Sequence, residues 1–145
     1  MFKHILIATD GSDLAQIAVE KGLGLAKVLG AKVTAVTVTP SWASVAPGEA
    51  AMSFPVEEYV RATKENAAAI LSSVTAAAKK AGVDCTSLHM ADQFPADGIL
   101  SAANDTACDL IVMSSHGRRG LQRLFLGSQA QEVLTHSPVP VLICR

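Results

Sequence analysis

The chain alternates short apolar runs with helical patterns from one end to the other, and that alternation leaves few architectures open. Runs at Ile5 to Ala8, Val33 to Val38, Val83 to Met90, Leu110 to Met113 and Val139 to Cys144 have the length and composition of strands. Between them, apolar residues recur at helical spacing. A first helix is predicted with Ser12 or Asp13 as N-cap, with Leu14, Ile17, Ala18, Leu25 and Leu29 on one face, ending before Gly30. The second and longest can begin at Pro55, carries Val56, Val60, Ile70, Leu71 and Val74, and stops at Gly82, a residue suited to a left-handed C-terminal turn. A third begins near Pro95 with Ile99, Leu100 and Ala103 inward, and a fourth follows Ser128 with Val133 and Leu134. Strands separated by helices imply a parallel sheet with right-handed crossovers and helices on both faces.

At 145 residues the expectation is one α/β domain spanning 1–145, large enough for a core without disulfide or metal staples. Half the residues are hydrophobic but only 4% are aromatic, so Ala, Val, Leu and Ile must build closely packed layers. Strand chemistry then orders the sheet. The first and fourth runs are unbroken and apolar, as central strands are, whereas Val83 to Met90 mixes polar with apolar residues and Pro140 cannot donate to a ladder. The third run therefore lies outside and Pro140 belongs at an edge or a strand start, which gives a doubly wound five-stranded order 3-2-1-4-5.

In such a sheet the ligand crevice lies beyond the carboxyl ends of the strands where the winding reverses, here between strands one and four. Two loops meet there: Thr9-Asp10-Gly11-Ser12 and Ser114-Ser115-His116-Gly117. Nine residues after Gly117 come Gly127 and Ser128, at the start of the last helix. Small residues let main-chain N–H groups turn toward a ligand, and a helix N-terminus favours an anion, so this is the layout of a phosphate cradle. By residue type alone Asp10 is equally a ligand-binding carboxylate and a turn or cap; its place at the crossover favours the ligand. Ser128 with Gln131 also fits an S-x-x-Q capping box, which is compatible with phosphate binding. Arg118 and Arg119 can neutralise phosphate from the rim, although adjacent surface arginines are commonly just solvated. His116 reads first as a loop-fixing residue. Leu121, Leu124, Phe125 and Leu126 read as a hydrophobic flap, and the long segment 40–53, with the only Trp, as a functional or disordered lid.

A net charge of −1 carries no basic footprint for nucleic acid or a membrane surface. Cys85, Cys108 and Cys144 lack CxxC spacing and the four histidines lack ligand spacing, so neither a disulfide framework nor structural zinc is expected. With no signal-type or spanning segment, a cytoplasmic location is expected. There is no Walker GxxxxGK[ST] and no lysine between Gly117 and Ser128, so any ATPase should be slow. Val139, Val141, Leu142 and Ile143 are apolar on both faces of a predicted edge strand, a liability that pairing with a second copy would cover.

The segments Lys3 to Ser12, the Gly117 to Ser128 loop and Ser137 to Ile143 together resemble the universal stress protein family along essentially the whole chain. The resemblance implies a five-stranded α/β sheet, homodimers and, in one branch of the family, bound ATP, with AMP or ADP as related ligands and Mg²⁺ as a companion ion. It would put Ala8, Thr9, Asp10 and Val38 near adenine and ribose. Met113, Ser114, Ser115, His116 and Gly117 would lie near ribose and phosphates, with Gly127, Ser128, Gln129 and Ala130 on the phosphates. Two residues depart from the family pattern: Ser114 stands for a glycine, and Ala130 for a frequent hydroxyl residue. A lost neutral hydrogen bond costs roughly 1 kcal/mol, which weakens binding by somewhat under tenfold. A non-nucleotide dimeric interaction module is the alternative.

Overall fold

A strand that is apolar at every position needs cover on both faces, and β1 (His4–Ala8) and β4 (Leu110–Ser114) are buried along their whole length. In the computed structural model, which describes residues 1–46, 48–49, 53, 55–118 and 125–145, these two strands pair at the sheet centre. The other strands are β2 (Lys32–Val38), β3 (Cys85–Met90) and β5 (Val141–Cys144). All pairings are parallel and the order is β3-β2-β1-β4-β5, as the strand chemistry predicts. The helices are α1 (Asp13–Leu29), the short α2 (Trp42–Val45), α3 (Val56–Ala81), α4 (Pro95–Asp105) and α5 (Ser128–His136). No helix among the described residues is long and apolar enough to cross a membrane.

Period-two alternation sends Ile5, Ile7 and Val33 to one core, under α1 and α3, and Leu6, Ala8 and Val36 to the other, under α4 and α5. With few rings to fill space, the layers close on small residues. A methyl at Gly22 of α1 would sit 2.6 Å from Cδ1 of Ile7, and one at Gly98 of α4 would sit 2.6 Å from Val38.

The helix faces differ from the sequence reading. In α1 the buried stripe is Ala15, Ala18, Val19, Gly22, Leu23 and Ala26, while Leu14, Ile17 and Leu25 flank it and Leu29 is exposed. Small residues win the contact because they let the helix approach the sheet; the larger leucines cover its sides. Val56 and Val60 are exposed, since the first turns of α3 overhang the sheet, and Leu134 is exposed on the outer side of α5. Leu100 is only half-buried. Strand ends shift too. Val83 closes the C-terminus of α3 through its N–H to Ala78 O, so β3 starts at Cys85. Ser137 Oγ, donating to Val139 O at 2.7 Å, makes a turn that delays β5 to Val141.

On the face of the second core, at the start of β1, lies His4. It is buried, with Nε2 2.8 Å from Thr34 Oγ1, itself 3.2 Å from Thr86 Oγ1 on the next strand. Burial, and then Lys32, hold its imidazole below the ordinary histidine value of 6.5; burial and Lys64 act alike on His89. The unfolded chain therefore binds protons at higher pH than the native protein. Stability should fall as pH drops through about 6.5 and level off once the native imidazoles protonate. Urea unfolding of His4→Gln is expected to show a shallower dependence, and an unaltered slope would exclude His4 as a source.

A second expectation sets helix propensity against packing. Gly24→Ala meets nothing within 4 Å and should stabilise by about 0.5–1 kcal/mol. Gly22→Ala gains the same propensity but drives into Ile7, and overpacking of about 1–3 kcal/mol should outweigh it. The two unfolding midpoints are expected to move in opposite directions.

Candidate functional site

Parallel pairing of β1 with β4 brings their carboxyl ends to the same edge, so the loops after them lie side by side. The β1 loop is built from side chains that satisfy nearby main-chain donors. Gly11 N donates to Thr9 Oγ1 at 3.1 Å, Ser12 N to Asp10 Oδ1 at 3.0 Å, and Ala15 N to Ser12 Oγ at 3.2 Å. Ser12 is thus the N-cap of α1.

Asp10 also reaches across. Its Oδ2 accepts the Arg118 N–H at 2.8 Å, and a methyl at Gly117 would lie 2.9 Å from the same oxygen. One carboxylate therefore ties both loops together, with one oxygen on each. The Arg118 guanidinium lies over Gly11, whose other neighbour is Ile70 of α3. Ile70 belonged to the apolar stripe in sequence; nothing there marked it as a wall of the crevice.

Beyond β4 the chain stays tightly held. Ser115 N donates to Cys144 O, Ser114 Oγ to His116 O at 2.8 Å, and Ser115 Oγ pairs with His116 Nδ1 at 3.0 Å. His116 is a loop-fixing residue in this arrangement. Ser114 needs no positive φ, so it occupies the family's glycine position without backbone strain. Across the loop, Gly127 N donates to Ser115 O at 2.9 Å, and a methyl at Gly127 would stand 2.8 Å from that oxygen. Gly127, with φ −61, serves close approach rather than a left-handed turn.

Several predicted site residues have other employment. Gly127 is the N-cap of α5 and Ser128 its first residue, so the capping box does not form; no side chain caps this first turn. The Gln129 side chain leaves the crevice, its Oε1 accepting Ala96 N at 3.0 Å in the first turn of α4, where the N-cap residue Phe94 offers no side-chain acceptor. The Ala130 side chain is buried in the second core, together with those of Ala8 and Met113, and Val38 packs against that core beneath Gly98. The buried Ala8, Met113 and Ala130 leave only main-chain groups to meet a ligand. Phe125 is exposed rather than part of a flap, while Leu126 packs on the second core. Arg119, Leu121 and Leu124 lie outside the described residues. Part of the 40–53 segment is anchored: Trp42 stacks on Tyr59 with ring centroids 5.1 Å apart, and Tyr59 OH donates to Pro40 O at 2.7 Å.

The two loop glycines should respond differently to a methyl. At Gly127 it meets a main-chain oxygen that cannot move without opening the loop, whereas at Gly117 it meets the end of a rotatable side chain. Gly127→Ala is expected to cost about 1–3 kcal/mol in thermal unfolding and Gly117→Ala distinctly less. Equal costs would show that the loop ends yield.

Comparison with known proteins covers the whole chain. The model of the Universal stress protein family matches residues 1–145. A universal stress protein of Thermus aquaticus is 35% identical over the full length of both chains. One of Methanocaldococcus jannaschii is 33% identical, covering all of this chain and 83% of the relative. Among solved structures, UspA of Lactobacillus plantarum superposes with a TM-score of 0.85 at 23% identity, over 99% of this chain and 98% of that one. A universal stress protein in complex with cAMP gives 0.73 at 24% identity, over 99% and 97%, and one of Archaeoglobus fulgidus in complex with dAMP gives 0.66 at 20%, over 100% and 98%.

Proposed function

Since the chain belongs to the universal stress protein family, we propose that its crossover loops bind an adenine nucleotide, and that occupancy is what the protein reports in a stress response. The observation that carries this reading is the convergence of two small-residue loops on an α5 N-terminus without a side-chain cap, beside the Asp10 and Arg118 N–H pair. Relatives of the same fold hold cAMP and dAMP.

Each residue's part follows from its free groups. Thr9, Asp10 and the end of β2 at Val38 flank the base and ribose. His116 and Gly117 offer their N–H groups to ribose and phosphates, and Ser128 to Ala130 offer N–H groups aligned with the helix dipole, while the Ser115 and Gly127 N–H groups hold the loop to Cys144 O and Ser115 O. An arriving phosphate competes with Asp10 for the Arg118 N–H, and like charge disfavours a phosphate beside that carboxylate. ATP would gain more N–H contacts than AMP but meet more of this repulsion. Mg²⁺ fits as an ion held chiefly by phosphate oxygens, since Asp10 already accepts two N–H groups and no cluster of three His, Cys, Asp or Glu residues exists among the described residues. We assign no hydrolytic role, and place the protein in the cytoplasm as a single domain.

The free edge at β5 favours a homodimer. Leu142 is 41% exposed, and Val139, Val141 and Ile143 are half-buried beside it. Unpaired strand edges with apolar side chains invite a second copy. This surface alone would serve the alternative role of a dimeric module without nucleotide.

Calorimetric titration with AMP, ADP and ATP, each with and without Mg²⁺, separates the two. Saturable heat with a Kd below about 1 mM is expected, weakened at least tenfold in Gly127→Ala. No heat at millimolar nucleotide would leave only the dimeric module.

A further inference from the structure

Away from the crossover, a cleft of about 250 Å³ opens between α3 and the ends of β2 and β3. At ~30 Å³ per water it holds about eight water-sized groups, and it falls short of the roughly 300 Å³ where pockets for drug-sized ligands begin. Its floor is polar and half-buried. Thr39 Oγ1 lies 2.9 Å from His89 Nε2, and among the described residues the other nitrogen of that ring makes no hydrogen bond.

The walls are held in place by contacts already described. Tyr59 is pinned between Pro40 O and the Trp42 ring, which fixes the start of α3. One wall then presents Val60 and Lys64; the other presents Ala91 and Asp92 from the turn after β3. Lys64 and Asp92 are both exposed at the mouth, and neither forms an ion pair among the described residues. Asp92 sits at φ 57, a left-handed backbone setting that aspartate accepts more readily than most residues.

This combination selects among small ligands. A bare anion would meet Lys64 but face Asp92; a bare amine would do the reverse; a purely apolar molecule would use neither charge nor the imidazole. We propose that the cleft is a second binding site, separate from the crossover loops, for a small free amino acid with a short branched apolar side chain. Its carboxylate meets Lys64 and His89, its ammonium meets Asp92, and its side chain lies on Val60 and Ala91. Burial and Lys64 hold His89 below its ordinary value, so a carboxylate placed there should raise it again.

The test is an NMR titration of the full chain with L-valine, which has about eight non-hydrogen atoms, following the His89 ring. Saturable shifts with a Kd near 1 mM and a rise in the His89 pKa are expected. 3-Methylbutanoate and 2-methylpropylamine, each lacking one charge, should bind at least about tenfold more weakly. Lys64→Gln and Asp92→Asn should lose as much without lowering the unfolding midpoint, as both side chains are exposed. An unmoved His89 resonance at concentrations well above millimolar would overturn the proposal. So would phosphate or either single-charge analogue binding as tightly as valine, or undiminished binding by both variants.

Discussion

Everything at the candidate site depends on the parallel pairing of β1 with β4. Two strands running in the same direction end at the same edge, so loops separated by about a hundred residues in sequence become neighbours with no contact of their own required. The pairing is secured by full burial on both faces: Ile5 and Ile7 point into one core and Leu6 into the other, each packed by helices. The loops are the consequence of that central ladder, and their spacing is inherited from its register.

Close approach is the second organising feature. Gly22 against Ile7, Gly98 against Val38 and Gly127 against Ser115 O are all contacts in which one partner has no side chain. The first two set the thickness of the sandwich. The third joins the two ends of the candidate phosphate loop and so does for the site what the others do for the core. An aliphatic interior with few rings requires such contacts, because there are no large planar groups to bridge wider gaps.

The sheet order was readable because strand chemistry reports position. The polar residues of the third run fit an edge and the unbroken runs fit the centre, while Pro140 falls just before β5, at a strand start. Helix ends were equally legible through Ser12, Gly30 and Gly82. The faces of the helices were less so, since hydrophobicity ranks Leu14 and Leu29 above Ala15 and Gly22, while packing distance ranks them the other way. The capping box at Ser128 failed for a similar reason. The motif is local, but the start of α5 is decided by the Gly127 contact with Ser115, at the far end of the loop. The place of the Gln129 side chain was not legible because its partner, Ala96 N, is distant in the chain and no spacing rule connects the two. For the crossover loops themselves, strand order and residue types brought the two loops together; they could not reveal which side chains were already committed to neighbours.

Asp10 joins two segments through hydrogen bonds to their backbones. A negatively charged group of the protein's own thus already rests against donors of the kind a phosphoryl oxygen would seek. In the proposed reading the cradle is held in shape by an internal surrogate, so a nucleotide would arrive at a template instead of having to organise one. The same surrogate would make the template selective, because every additional negative charge on the guest would be weighed against the one that was there first.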